Sequence, residues 1–206
     1  MLKLIDIKKD YLAGDNAVHA LKGVSLEFRE NEFVAVEGVS GCGKSSLLNI
    51  IGGLDQYTSG DLIINGKSTK HFTDGDWDAY RNRSIGFVFQ SYNLIPHQSV
   101  LSNVELALTL SGVSPAERKR RATEALEKVG LSYRADVLGG ELTLPELKRM
   151  EVARALATQP TLLLLDEVIA GLNPSEVDVF VDLLRKIHES EKLTIIIIEH
   201  VMRALM

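Results

Sequence analysis

A glycine-rich segment at residues 38–45 constrains this chain more than any other part of its sequence. It reads GVSGCGKS, a full match to the pattern G-x-x-x-x-G-K-[ST]. In such a segment the glycines let the backbone curl, so that several N–H groups converge on phosphate oxygens. Lys44 can reach the β- and γ-phosphates, and the hydroxyl of Ser45 can reach Mg²⁺. The sequence therefore predicts a nucleotide phosphate-binding loop.

The flanks of this segment support the same prediction. The apolar run FVAVEG before it is typical of a buried strand, and Lys44–Ile51 is predicted to be a helix whose dipole adds to the anion site. The alternative, a glycine-rich turn with a chance lysine, does not account for the full spacing together with both flanks. Cys42 is interpreted as a small loop residue rather than a nucleophile, because no histidine lies near it in the sequence. The predicted nucleotide contacts are Gly38, Val39, Ser40, Gly41, Cys42, Gly43, Lys44, Ser45 and Ser46.

An apolar run that ends in two carboxylates supplies the second half of the predicted site. Leu162–Leu165 is followed directly by Asp166 and Glu167. An aspartate at the end of a buried strand can hold the Mg²⁺ shell, and the next glutamate can orient or deprotonate an attacking water. Alone this pattern is common, but after a phosphate-binding loop it indicates nucleotide hydrolysis.

The composition favours a globular protein of one or two domains. The chain has 206 residues, 45% of them hydrophobic, and a formal net charge of −5, which argues against a nucleic-acid surface. The single cysteine excludes an internal disulfide and fits a reducing compartment. The N-terminus becomes charged too early for a signal peptide, and the apolar runs are far short of the roughly 20 residues of a membrane span. We therefore expect a cytoplasmic protein that acts at a membrane only through a partner.

Hydrophobic periodicity and turn residues predict strands that alternate with helices around a mostly helical middle. Residues 1–37 contain three short strand patterns, LKLIDI, VSLEF and FVAVEG, and a hairpin turn is predicted at Asn65–Gly66. Between residues 99 and 157 apolar residues recur at helical spacing, with Ser114 as an N-cap and Pro115 as the first residue of one helix. The other predicted elements are strands at Ile85–Phe89, Thr161–Leu165 and Leu193–Ile198 and a helix at Pro174–Glu189.

Three single residues follow in the order expected of one known family. Tyr11 precedes the loop, Gln90 ends the run GFVFQ, and His200 ends the run IIIIEH. Together with the loop and the carboxylate pair, they make the chain resemble the ATP-binding cassette family over nearly its whole length. The resemblance implies that Tyr11 stacks on adenine, that Gln90 touches Mg²⁺ and signals to a membrane partner, and that His200 lies near the γ-phosphate. Taken singly, each has a plain alternative: a half-buried tyrosine, a loop glutamine and a surface histidine.

The resemblance also implies an architecture. A P-loop NTPase core of α/β, RecA-like fold would combine with an antiparallel β subdomain in residues 1–90 and 158–206. A helical subdomain would occupy about residues 91–157. Members of the family normally continue with further strands after the histidine, so we expect those strands to be missing from this chain.

The activity implied by the resemblance is ATP hydrolysis coupled to transport. Mg²⁺ would be held by Ser45, Gln90 and Asp166, while Glu167 would activate water and His200 would position the γ-phosphate. Two cassettes, identical or different, would dimerise head to tail with ATP at their interface. The dimer would act on transmembrane transporter subunits at the inner face of the cell membrane.

One segment departs from the family pattern. Counted back from the two carboxylates, the family signature, usually LSGGQ, falls on Leu142–Glu146, which reads LTLPE. Thr143 can replace the signature hydroxyl, but Leu144 adds a side chain and Pro145 lacks an N–H. Because the resemblance implies that this segment contacts the γ-phosphate bound by the other subunit, we predict weak turnover. The nearby Leu138–Glu141, which reads LGGE, comes too early and is predicted to be a turn.

Smaller departures concern two positions and the two parts of the chain. Val168 stands where proline usually follows the glutamate, and Asn173 stands where aspartate is usual. Residues 1 to about 131, with ALKGVSLEF, resemble lipoprotein-release and macrolide-export ATPases, whereas residues from about 142, with LDEVIAGLNPSE, resemble branched-chain amino-acid uptake ATPases. The chain is therefore either a mosaic or a divergent natural cassette, and its cargo stays open. Two alternative functions are a cassette that binds ATP but hydrolyses it poorly, and a non-transport cassette acting on nucleic acid or ribosomes.

Overall fold

The computed structural model describes residues 1–13, 16–89, 94–109 and 112–199. The strands in these ranges are β1 (Leu2–Ala13), β2 (Asn16–Phe28), β3 (Phe33–Glu37), β4 (Ser59–Ile64), β5 (Lys67–Ser68), β6 (Ile85–Val88), β7 (Leu162–Asp166) and β8 (Thr194–Glu199). The helices are α1 (Lys44–Ile51), α2 (Asp74–Ser84), α3 (Val100–Leu106), α4 (Pro115–Lys128), α5 (Leu144–Ala157) and α6 (Pro174–Glu191). Short 3₁₀ helices lie at Thr69–His71, Ser132–Arg134 and Gly139–Glu141.

A four-stranded parallel sheet with the order β3-β8-β7-β6 carries the predicted site. Its two central strands are β7 and β8, and both are buried. Leu163 and Leu165 face one hydrophobic core, whereas Leu162 and Leu164 face another, because successive side chains of a strand point to opposite faces. Burial on both faces accounts for the continuous apolar runs in the sequence.

A second, antiparallel sheet has the order β2-β1-β4-β5. The strands predicted at LKLIDI and VSLEF are present, but they are longer than predicted, because β1 and β2 form a hairpin of 12 and 13 residues. Their register shifts around Ile7 and again after Lys9. These irregularities interrupt the alternation of apolar and polar side chains on which a strand prediction depends. The turn predicted at Asn65–Gly66 is confirmed between β4 and β5, and both residues have positive φ.

The helices predicted after the phosphate loop and in the middle of the chain are confirmed. The Ser114 side chain accepts a hydrogen bond from the N–H of Glu117, and Pro115 is the first residue of α4. The observed ends of β7, β8 and α6 differ from the predicted ends by one or two residues. The hydrophobic pattern of a sequence does not define the last residues of a strand or helix sharply. None of the helices within the described ranges is long and apolar enough to cross a membrane.

One helix, α2, was not predicted from the sequence. Most of its residues are polar, and Tyr80 is its buried residue, so the helical period is missing. Its start is fixed by a capping box, in which Thr73 and Asp76 bond to each other's backbone N–H groups.

Two hydrophobic cores cover the two faces of the parallel sheet. The antiparallel sheet and α1 close the first core, and α3 to α6 close the second. The loop that begins α1 and the carboxylates that end β7 are therefore attached to one rigid sheet.

Candidate functional site

The glycine-rich loop connects β3 to α1, and its geometry requires glycine. Gly41 and Gly43 have φ values of 78° and 94°, a region in which side chains are strained. A Cβ atom on Gly43 would also collide with the carbonyl oxygen of Ala20 on β2. The loop therefore lies against the antiparallel sheet, and a larger residue at position 43 would displace it.

Lys44 turns its side chain back beneath the loop. Its Nζ donates hydrogen bonds to the carbonyl oxygens of Gly38 at 2.7 Å and Val39 at 3.1 Å, and the residue is 7% exposed. In the described part of the chain no side chain caps the first turn of α1. The N–H groups and the dipole at the start of α1 thus favour binding of an anion, and the positive charge of Lys44 lies at the same helix end.

Ser45 and Asp166 meet at the end of the parallel sheet. The Ser45 hydroxyl donates to Oδ1 of Asp166 at 3.2 Å, and these residues belong to the first turn of α1 and the last position of β7. A hydroxyl and a carboxylate are hard oxygen ligands of the kind that Mg²⁺ accepts. The described residues contain no cluster of three or more His, Cys, Asp or Glu side chains suited to a metal. A hydroxyl and one carboxylate fill only part of an octahedral shell, so this donor set fits an ion that also takes oxygens from phosphates and water.

Glu167 follows directly and has an unusual backbone conformation. Its φ is 51°, which costs a residue with a side chain roughly 1–3 kcal/mol. Its N–H donates to the carbonyl oxygen of Ile198 on β8 at 3.0 Å, and this bond helps to hold the chain in the strained turn. Strain of this kind concentrates at functional sites, and here it falls on the residue that the sequence predicts to activate water.

Glu199, the last residue of β8, was not predicted from the sequence. It is 5% exposed, and its carboxylate accepts a hydrogen bond from the N–H of Ile169 at 3.0 Å. Together with the bond between Glu167 and Ile198, it attaches the loop after β7 to β8 at two points. The sequence did contain a signal for this residue, because it shows a glutamate at the end of an apolar strand. A carboxylate buried in such a place needs hydrogen-bond partners, so it can be expected to hold a neighbouring segment.

The two smaller departures from the family pattern have structural explanations. Val168 is fully buried in the core that α3 to α6 close. Asn173 is the N-cap of α6, because its Oδ1 accepts from the N–H of Glu176 at 3.0 Å and the Glu176 carboxylate accepts from the Asn173 N–H at 2.9 Å. Asparagine caps a helix about as well as aspartate does.

Tyr11, on β1, lies beside the start of α1. Its hydroxyl donates to Oδ2 of Asp55 at 2.7 Å and lies 3.3 Å from Oγ of Ser46. The residue is 39% exposed, so part of its surface is available to another planar group. Two further residues contact this tyrosine and were not predicted from the sequence, Lys9 and Asp55.

The segment Leu142–Glu146 forms the start of α5. Thr143 is its N-cap, and Pro145 is the second helical residue, where the N–H has no partner within the helix. The proline therefore costs no helical hydrogen bond, although it leaves one N–H fewer at this helix end. The turn predicted at Leu138–Glu141 is confirmed, because a 3₁₀ helix occupies Gly139–Glu141.

Glu146 fixes this helix start. Its carboxylate accepts from the backbone N–H and the hydroxyl of Thr143, both at 2.9 Å, and from Arg134 Nε at 2.8 Å and the Tyr133 hydroxyl at 2.9 Å. Hydrogen bonding from Arg134 holds the pKa of Glu146 at about 2, although burial acts in the opposite direction. The carboxylate consequently stays ionised at neutral pH.

The structure brings together most of the residues predicted for the site. The loop residues 38–46, Asp166 and Glu167 lie at one end of the parallel sheet, and Tyr11 is in contact with Ser46. The predicted residues Gln90 and His200 lie outside the described residues.

Comparisons with known proteins identify the family. The ABC transporter family model matches residues 21–170. An uncharacterised ABC transporter ATP-binding protein of Thermotoga maritima is 43% identical over 200 residues, which cover 97% of this chain and 85% of that protein. The lipoprotein-releasing system ATP-binding protein LolD of Geobacter metallireducens is 38% identical, with 97% and 89% covered.

A solved structure gives the same result. The ATP-binding cassette MJ0796 of Methanocaldococcus jannaschii, in a dimeric post-hydrolysis state bound to ADP and Pi, superposes with a TM-score of 0.87 at 36% identity, covering 99% of this chain and 90% of that one. This likeness confirms the predicted α/β, P-loop NTPase fold. The resemblance of the two parts of the chain to different subfamilies stays a prediction. The chain belongs to the ABC transporter family, as one of its ATPase cassettes.

Proposed function

We propose that this cassette binds Mg-ATP in the loop of residues 38–46 and hydrolyses it with Asp166 and Glu167. The observation that carries the proposal is the 3.2 Å contact between Ser45 and Asp166. It places the hydroxyl of the phosphate loop and the carboxylate of a buried strand where one ion can reach both. A glycine-rich turn that binds no ligand would not need a hydroxyl and a carboxylate from distant segments to meet beside it.

Each residue of the site has a role that follows from its chemistry. Lys44 neutralises the β- and γ-phosphates, and the N–H groups at the start of α1 bind their oxygens. Glu167 accepts a hydrogen bond from the attacking water and aligns it with the γ-phosphate. Tyr11 stacks on adenine, and His200 positions the γ-phosphate, both as the family resemblance implies.

Mg²⁺ fits the oxygen atoms of Ser45 and Asp166, with Gln90 as a third contact implied by the resemblance. When bound there, the ion neutralises charge that develops between the β- and γ-phosphates. The chain's own part is to orient these oxygens: β7 fixes the carboxylate, and the first turn of α1 fixes the hydroxyl.

We also propose that two cassettes act together, in a homodimer or with a different cassette. The MJ0796 structure that this chain resembles is a dimer. In the proposed dimer, Thr143 at the start of α5 would contact the γ-phosphate bound by the other copy. Residues of about 91–157 would form a helical subdomain, and a transmembrane partner would bind near Gln90 on the cytoplasmic face of the membrane.

A second candidate is a cassette that binds ATP with little hydrolysis. The observation that favours it is the start of α5. There Leu144 and Pro145 stand where the family signature has two glycines, so a side chain is added and one backbone N–H is lost. In this case ATP affinity would be ordinary and turnover would be close to background.

The rate of phosphate release per chain, measured against protein concentration, tests the proposal and separates the two candidates. We expect the rate per chain to rise with concentration, because each site is completed by a second copy. Tight Mg-ATP binding with no phosphate release at any concentration, alone or with candidate membrane subunits, would favour the second candidate. A rate per chain that is independent of concentration would contradict the dimeric site.

A further inference from the structure

Lys9 and Asp55 form an ion pair beside Tyr11. The Lys9 Nζ donates to Oδ1 of Asp55 at 2.6 Å and to the carbonyl oxygen of Gln56 at 2.7 Å. The other carboxylate oxygen of Asp55 accepts from the Tyr11 hydroxyl at 2.7 Å. One carboxylate therefore fixes both a cation and a phenol.

The pair is partly shielded from water. The side chain of Lys9 is 12% exposed and that of Asp55 is 29% exposed. Burial raises the pKa of Asp55, but hydrogen bonds from Lys9, Tyr11 and the backbone of Gln56 together outweigh it and set this pKa below its usual value. The carboxylate is consequently charged at neutral pH, and an ion pair in such surroundings holds its geometry better than one on an open surface.

The lysine also covers one face of the tyrosine ring. Its Nζ lies 4.6 Å from the ring centroid, a cation–π distance. The exposed part of the ring therefore lies away from Lys9. Val18 is the cross-strand partner of Tyr11 on β2 and is itself exposed, so an apolar side chain flanks the ring on the same face of the sheet.

The same cluster connects β1 to the phosphate loop. Asp55 follows the end of α1, and its N–H donates to the carbonyl oxygen of Asn49 on that helix at 3.2 Å. At the other end of α1, the Oγ of Ser46 lies 3.3 Å from the Tyr11 hydroxyl. The ring is thus held at a fixed distance from the loop of residues 38–46.

We infer that Lys9 and Asp55 are positioning residues for the nucleotide base: they fix the Tyr11 ring so that only the face turned away from Lys9 can stack on a purine. This inference rests on the proposed ATP binding and goes beyond it. Neither residue belongs to the phosphate loop of residues 38–46, so we expect their effect to be confined to nucleotides that carry a base.

Calorimetric titration with two probes, Mg-ATP and magnesium tripolyphosphate, tests the inference. Tripolyphosphate has the phosphates of ATP but no base. We expect Asp55→Ala to weaken Mg-ATP binding roughly three- to tenfold, the scale of one aromatic stacking contact, and to change tripolyphosphate binding by less than about twofold. Asp61→Ala is the matched control, because Asp61 lies on β4 and accepts from Ser68 Oγ away from the loop.

A second variant keeps the test decisive if Asp55→Ala folds poorly. Tyr11→Phe keeps the ring and removes its hydroxyl, and with it the hydrogen bonds to Asp55 and Ser46. We expect it to weaken Mg-ATP binding selectively in the same way. The effects of Tyr11→Phe and Asp55→Ala should also be less than additive in the double variant, because both break the same contact.

The outcomes separate this inference from the proposed function. Equal weakening of both probes by Asp55→Ala, or no weakening of Mg-ATP by Tyr11→Phe, would overturn the positioning role while leaving the phosphate site intact. Wild-type chain that binds Mg-ATP no more tightly than tripolyphosphate would also overturn it, because the base would then contribute nothing. Wild-type chain that binds neither probe would instead overturn the proposed ATP site itself.

Discussion

The hydroxyl of Ser45 lies 3.2 Å from Oδ1 of Asp166, although the two residues are 121 positions apart in the chain. The contact forms because both residues lie at the carboxyl end of one parallel sheet, where β8 separates β3 from β7. In open α/β sheets ligands bind at this edge. The contact is the structural basis of our proposal that Mg-ATP binds at this position.

Replacing Glu167 with glutamine should separate binding from hydrolysis. We expect Glu167→Gln to bind Mg-ATP as tightly as wild type and to lower turnover about 100-fold or more, since a positioned base contributes on that scale. Calorimetry and phosphate release at saturating ATP measure the two quantities. Glu127→Gln, an exposed change on α4, is the control. Turnover of Glu167→Gln close to that of wild type would assign water activation to another residue.

Glu199 should act on turnover through the loop that follows β7. We expect Glu199→Ala to lower turnover with little change in ATP affinity, because the buried N–H of Ile169 loses its acceptor and the strained turn at Glu167 is released. Glu199→Gln should restore most of the activity, since its amide oxygen can accept the same hydrogen bond.

The comparison between these two Glu199 variants separates positioning from general stability. Thermal unfolding is measured alongside turnover for both. If Glu199→Gln is as inactive as Glu199→Ala while both remain folded, the hydrogen bond from Ile169 does not account for the effect of Glu199 on turnover.

Local motifs predicted the site, whereas contacts between distant segments did not follow from the sequence. The loop at residues 38–45 and the pair Asp166-Glu167 each carry their own local pattern, so both could be predicted as candidate site residues. Lys9 and Asp55 are ordinary charged residues whose partnership depends on how β1 lies against the end of α1. The polar helix α2 and the full length of the irregular strand β1 also escaped prediction, because neither shows a regular spacing of hydrophobic residues in the sequence.

The altered signature should limit turnover. We expect the triple change Thr143→Ser, Leu144→Gly and Pro145→Gly to raise it, because each well-aimed donor to transition-state charge contributes roughly 3 kcal/mol. Phosphate release and ATP-driven dimerisation, the latter in the Glu167→Gln background, compare the two proteins. Leu144 also lies against Gly171, so unfolding is measured alongside. A wild-type rate that already matches an intact transporter ATPase would show that LTLPE is a working signature.

Glu146 should make the start of α5 sensitive to acid. Its pKa is lowered from 4.5 to about 2, so its contribution to stability is fully present above pH 4.5 and is lost as the pH falls through about 2. We expect Glu146→Gln to reduce the free energy of unfolding by about 1.5–3 kcal/mol at neutral pH, the value of a hydrogen bond to a charged group.

Urea unfolding of both proteins between neutral pH and about pH 3 measures this effect. The difference between wild type and Glu146→Gln should shrink as the pH falls below 4.5. A difference that stays constant over the whole range would mean that the ionised carboxylate does not hold the helix start.

Titration of Lys44→Ala with Mg-ATP tests the central claim most directly. Lys44 is the side-chain cation of the loop in which the phosphates would bind, and its Nζ donates to the carbonyl oxygens of Gly38 and Val39. We expect Lys44→Ala to remain folded by circular dichroism and to lose tight Mg-ATP binding, whereas the exposed control Lys67→Ala binds as wild type does. Unchanged affinity in folded Lys44→Ala would contradict the assignment of residues 38–46 as the ATP site.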